Sequence, residues 1–258
     1  MRNGQTLDRY EYGERPLCEE IVDRITVDGS EAAIITRNRY GAQVLNTANV
    51  MFVDVDFEID AHPATGSTIP PGDEDQAVPV RKAGFWESIG LAFSSRKRVE
   101  RREDLAEAKL TRIKQWFTSH PERAGRIYRT AKGFRVIITD RTFKPASEDT
   151  QHIFRDMKAD PLYQKLTERQ ECFRARLTPK PWRLEVGKPS TCVWPREHPT
   201  DQQKFRDWLA AYEDESRAHE VCHLVESIGS RTLSNEVAAV IRVHDEMTMN
   251  PTDRRPLA

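Results

Sequence analysis

The sequence predicts an α/β or α+β fold, with a mixed central sheet, helices packed on it and a helical C-terminal part. Three observations predict it. Residues 50–57 form an apolar run, Val50-Met-Phe-Val-Asp54-Val-Asp56-Phe57, that reads as a strand. In residues 103–119, Ala106, Leu110, Ile113 and Phe117 recur at spacings of three and four, the period of a helix with one buried face. After Pro121 the chain enters Tyr128-Arg-Thr130-Ala-Lys132-Gly133-Phe-Arg135-Val-Ile-Ile138, whose apolar end reads as a second strand.

The remaining elements come in order along the chain. Residues 15–24 suggest a short helix, 32–36 a strand, and Asn38-Arg-Tyr-Gly41 a turn into the strand at 49–57. Residues 60–84 carry His62-Pro63, Gly66, Pro70-Pro71-Gly72 and Pro79, the chemistry of a loop. Phe85-Trp86 and Leu91-Ala-Phe93 suggest a small apolar anchor for this insert, which is taken to span about 60–101. The run Arg96-Lys-Arg98 with Arg101-Arg102 reads as the solvated start of a helix or as a phosphate-contacting arm. Helices are expected over 147–158, with Ile153, Phe154 and Met157 inward, and again from Asp160-Pro161, where proline suits the first turn. Residues 201–228 read as one amphipathic helix with Phe205, Leu209, Tyr212, His219 and Cys222 on one side. Residues 237–243 read as a last strand or buried helix. The division is a core over 1–200 and a helical extension over 201–258 packed on it.

Composition excludes some classes. Net charge is −1, so no global basic field argues for nucleic acid, and contacts of that kind must come from local patches. No apolar stretch approaches the roughly 18 residues of a membrane span, and Met-Arg-Asn-Gly-Gln is no signal peptide. The four cysteines, Cys18, Cys172, Cys192 and Cys222, form no Cys-x-x-Cys pair and read as reduced thiols. These features together point to the cytoplasm.

Asp54 and Asp56 carry the first chemical signal. Residues two apart in a strand share a face, and two carboxylates so close repel each other unless something positive lies near. A divalent cation with oxygen ligands is one answer; pairing with Lys or Arg, or solvent at an edge, is the plainer one. Lys132, Gly133 and Arg135 carry the second signal. Glycine lets a backbone approach a ligand closely, exposed amides in such turns favour anions, and arginine grips phosphate with two donors. The alternative is an ordinary Lys-Gly turn entering a buried strand. A third stretch, Phe173-Arg174-Ala-Arg176-Leu-Thr178-Pro-Lys180-Pro-Trp182-Arg183, interleaves cations with an aromatic. That suits a groove that tracks a phosphate backbone and stacks a base. It equally suits an extended segment that packs Trp182 on the core with its charges wet.

In their order these pieces resemble the archaeo-eukaryotic primase superfamily, most closely the polymerase domain of bacterial end-joining ligases. Val53-Asp54-Val55-Asp56 matches the family's Asp-x-Asp strand, and Thr130-Ala131-Lys132-Gly133-Phe134-Arg135-Val136 falls where its second motif lies, over about residues 30–140. The resemblance implies a primase-polymerase-like nucleotidyltransferase core acting on a nucleoside triphosphate and nucleic acid. In it Asp54 and Asp56 are catalytic and hold magnesium or manganese, while Thr130, Lys132, Gly133 and Arg135 bind the nucleotide. Arg174, Arg176, Lys180 and Trp182 are the expected nucleic-acid contacts. Arg135 stands where the family has histidine and cannot exchange a proton near neutral pH. The third acidic motif has only Glu171 or Glu185 as candidates. Altered or lost catalysis, leaving a non-enzymatic nucleotide or nucleic-acid binder, is the alternative within this reading.

His219-Glu220-Val221-Cys222-His223 spells the rival signature, His-Glu-x-x-His. On a helix it sets two histidines on one face for zinc, with the glutamate as general base of a hydrolase. Arg217 sits badly with a buried zinc helix, and a third ligand (Glu236 or Glu246) is not well placed. A haloacid-dehalogenase-like phosphatase also opens on Asp-x-Asp, but it wants Thr or Val two residues after the second aspartate, where this chain has Glu58.

Overall fold

The computed structural model of the chain describes residues 9–12, 15–57, 85–190, 194–229 and 233–258. The loop expected over 60–84 and Cys192 lie outside the described residues. Strands β1 (Arg9–Tyr12) and β2 (Arg15–Cys18) pair as a hairpin, and β3 (Glu20–Val27) comes directly after. The helix expected over 15–24 is therefore two strands. Bulges after Ile21 and Ile25 interrupt the two-residue alternation of β3, so the segment carries no clean strand period.

One four-stranded sheet runs β3, β4 (Ser30–Arg37), β5 (Gln43–Thr47), β9 (Phe173–Arg176). The other runs β10 (Cys222–Ile228), β7 (Gly125–Thr130), β8 (Gly133–Ile138), β6 (Phe52–Asp56). Every strand ladder among the described residues is antiparallel, so the class is α+β and the expected mixed sheet is corrected to antiparallel ones. The parallel pairing described is a single bridge, Glu220 with Leu257.

Five α-helices lie among the described residues. Helix α1 (Phe85–Ser119) begins well before the periodic stretch, so residues 85–101 are helical and the basic run lies inside it. Helix α2 (Glu148–Met157) starts at Ser147, whose hydroxyl accepts from the Thr150 amide; it buries Ile153, Phe154 and Met157 as the pattern predicts. Helix α3 (Pro161–Gln170) is capped by Asp160, which accepts from the Tyr163 amide at 2.6 Å. Helix α4 (Pro199–Ser216) buries Phe205 and Tyr212. The apolar run at 237–243 is helix α5 (Asn235–Thr248), capped by Ser234.

The helix expected to run on to 228 stops at Ser216, and residues 222–228 pair with β7 as a strand. The C-terminal part thus supplies an edge of the second sheet, while α5 packs on β3 and β4 of the first. One apolar core joins both sheets with α1, α2 and α5, through Leu45, Phe52, Val53, Ile113, Phe117, Val136, Phe154, Phe173 and Val240. No helix among the described residues is long and apolar enough to cross a membrane.

Candidate functional site

Register decides what Asp54 meets. Strands β6 and β8 pair so that Asp54 lies opposite Arg135, and directly opposed residues share a face. Arg135 Nε donates to Asp54 Oδ1 at 2.9 Å and Nη2 to Oδ2 at 3.3 Å, a two-pronged ion pair. The arginine side chain is 3% exposed and the aspartate 30%. Arg135 Nη1 also donates to the Arg176 carbonyl at 2.9 Å and lies 3.5 Å from His244 Nε2. Burial works against the guanidinium's charge, but Asp54 and its hydrogen bonds outweigh this and hold the pKa above its ordinary value. Behind it, burial lowers the pKa of His244, whose Nδ1 lies 3.0 Å from Asp245 Oδ1. Burial thus favours the neutral imidazole, which must carry its proton on Nδ1 to donate to Asp245.

In front of this pair opens a cleft of about 390 Å³ between α3, the 38–44 turn region, β9 and the segment after it. Asp54, Arg135, Arg174, Arg176, Lys180 and Trp182 all line it, joined by Glu19, Arg39, Tyr40 and Tyr163. Arg174 and Arg176 fall on one side of β9, as an extended reading requires, while Phe173 and Ala175 are buried. Arg174 Nη2 donates to both oxygens of buried Glu19 at 3.0 and 2.9 Å. Trp182 and Tyr40 meet edge to face with centroids 5.2 Å apart, and Lys180 Nζ lies 5.2 Å from the Trp182 ring. Two buried polar atoms of this wall have no hydrogen-bond partner, Arg176 Nε and Gln170 Oε1. Burial, then the neighbouring Arg183 and Arg135, push the Arg176 pKa down to about 10.

Other expected residues lie apart from the cleft wall. Thr130, Lys132 and Gly133 belong to the β7–β8 hairpin, where the Lys132 carbonyl accepts from the Phe57 amide at 2.9 Å. Gly133 is small for a different reason than ligand approach. A Cβ there would meet the Val55 carbonyl oxygen at 2.3 Å, so glycine lets β6 come close. Glu171 closes α3 in the left-handed conformation (φ 49°) and does not line the cleft.

The third carboxylate brought to Asp54 and Asp56 is Asp160, which in the sequence marks only the start of a helix. Its amide donates to the Asp54 carbonyl at 2.9 Å. Desolvation by the surrounding protein, then Asp54 and Asp160, raise the pKa of Asp56 to about 6, offset in part by Lys180 and Arg176. A carbon-detected NMR titration is expected to show the Asp56 carboxyl ionising near pH 6, and lower in Asp160→Asn. Because the folded pKa is raised, the unfolded state binds fewer protons between about pH 4 and 6, so this group lowers stability as pH rises through that window. Asp56 is exposed and screened, which keeps the effect small.

The oxygens of Asp54 are already engaged, both by Arg135. Among the described residues no group of three or more His, Cys, Asp or Glu is arranged to hold a metal. The zinc signature is also corrected, because its residues are not on one helix. His219 comes after α4, Glu220 makes the bridge to Leu257, and His223 belongs to β10. Buried Glu220 accepts from the backbone amides of Asn250 and Arg255 and lies 2.6 Å from His223 Nε2, so it anchors the 250–255 segment. The same histidine nitrogen lies 2.9 Å from the Arg255 carbonyl.

Comparison of this chain with protein-family models, with curated proteins and with solved structures finds no match.

Proposed function

We propose that the cleft binds a nucleotide, free or at the end of a nucleic-acid strand, as a primase-polymerase-like core does. Arg174, Arg176 and Lys180 meet its phosphates, and Trp182 with Tyr40 offers the base an aromatic surface. One observation carries the reading: five cationic side chains and a half-buried aromatic pair converge on one cleft that holds two carboxylates, each already matched by an arginine. Anionic phosphate and an aromatic base together satisfy that surface.

Stacking on an aromatic contributes about 1–3 kcal/mol per base. Trp182→Ala is therefore expected to weaken binding of a fluorescent single-stranded oligonucleotide roughly five- to hundredfold, read by anisotropy. Affinity is expected to fall with added salt as phosphate contacts do. An oligonucleotide that binds Trp182→Ala as well as the natural chain argues against the cleft.

Nucleotidyl transfer, with magnesium or manganese at Asp54 and Asp56, is the second reading. The observation in its favour is the crowding of Asp54, Asp56 and Asp160, which a cation would relieve. It requires Arg135 to release Asp54. Incorporation of a labelled nucleotide on a primed template, lost in Asp56→Asn, is its test.

A further inference from the structure

Resting on the nucleotide reading, we propose that Arg135 permanently supplies the positive charge beside Asp54, so that the cleft grips phosphate directly through Arg176 and without a divalent cation.

The geometry gives Arg135 no room to act otherwise. It is the cross-strand partner of Asp54, set by the β6–β8 register rather than by a flexible side chain reaching in. Its Nε and Nη2 hold both carboxylate oxygens, and its Nη1 holds the Arg176 carbonyl. At 3% exposure, a guanidinium that let go would strand these donors away from water. A divalent cation at Asp54 would sit beside that guanidinium, like charge against like, on a carboxylate that is already neutralised.

Arg176 is the independent observation. It lies two residues beyond Arg174 on β9, and Arg135 fixes its backbone through the carbonyl bond. Its Nε is buried in the cleft wall with no hydrogen-bond partner. Its nearest charges are the cations Arg183 and Arg135, which outweigh the carboxylate of Asp54, itself held by Arg135. A buried donor without a partner, where cations outweigh the one carboxylate, is costly and is satisfied by an anion. Phosphate oxygens fit, since a guanidinium offers two parallel donors to them. Arg135 acts through Asp54 and Arg176 and is a positioning residue; Arg176 is the one that touches the ligand.

The test is calorimetry on the full chain, with ATP and inorganic triphosphate as separate probes, each in EDTA and in manganese. Dissociation constants equal within about twofold in the two buffers are expected, because no charge is missing. Arg176→Gln is expected to weaken both probes at least tenfold in either buffer, the scale of a hydrogen bond to a charged group. Arg135→Gln is expected to weaken binding in EDTA and to recover part of it in manganese, as Asp54 becomes available to a metal. Binding by the natural chain only in manganese would overturn this inference and leave the nucleotide reading standing. Binding of neither probe in either buffer would overturn the nucleotide reading itself. Should Arg135→Gln fail to fold, the comparison of buffers on the natural chain and Arg176→Gln still decide.

Discussion

Asp54→Ala is expected to lower stability by about 3 kcal/mol, the low end of what removing one partner of a buried pair costs. The carboxylate is 30% exposed, so water reaches the vacancy in part, but the guanidinium left behind is 3% exposed. Its Nε and Nη2 would lose both partners while its charge stayed inside. Urea denaturation measures the loss as a shifted midpoint at constant slope. The double variant Asp54→Leu/Arg135→Met is expected to recover most of it, because removing both charges leaves none unmatched. A loss under about 0.5 kcal/mol for Asp54→Ala, the range of an ordinary surface change, would mean that Arg135 does not depend on its partner. The same reasoning separates folding from function in binding assays. Asp56, exposed at the end of β6, is the aspartate whose replacement leaves the ion pair intact.

Gly133→Ala is expected to cost about 3 kcal/mol, the upper end for overpacking. The added methyl would lie 2.3 Å from the Val55 carbonyl oxygen and 3.0 Å from the Asp56 Cα. Both obstacles are backbone, so no side chain can swing aside. The strands must part at the Asp56–Gly133 pair, two positions from the pair that joins Asp54 to Arg135. Loss of stability in urea accompanied by a changed Asp56 titration would locate the damage at that junction. An unchanged denaturation midpoint would show that β6 and β8 have slack there.

Elements whose signals are local were legible in the sequence. The inward Ile153, Phe154 and Met157 mark α2, Pro161 suits the first turn of α3, and Ile113 and Phe117 mark the buried face of α1. Elements defined by a distant partner were not. The bulges in β3 break its alternation and leave β4 beside it to define the strand, and β10 is a strand because β7 lies beside it, although its sequence continues a helical pattern. Short, polar β5 carries no strong signal and owes its place to β4 and β9. The candidate site divides in the same way. Arg174, Arg176, Lys180 and Trp182 are close in sequence, and the basic-aromatic pattern brings them to the cleft together. The partner of Asp54 is a matter of register across two strands, which neither strand states alone. Asp160, Glu19 and Tyr40 enter through tertiary packing and had no signal as site residues.

The placement of β10 has a consequence for biosynthesis. A ribosome delivers β6, β7 and β8 long before residues 222–228, and until those arrive β7 presents an open edge. Helix α5, which buries His244 behind Arg135, comes later still. The Asp54–Arg135 pair is therefore translated early and enclosed last. A nascent chain halted near residue 220 holds a charged pair without its cover and a strand edge without its neighbour, a state prone to wrong pairings. Residues 222–248 cover this pair, and recruitment of chaperones to a chain stalled before them should cease once α5 is released.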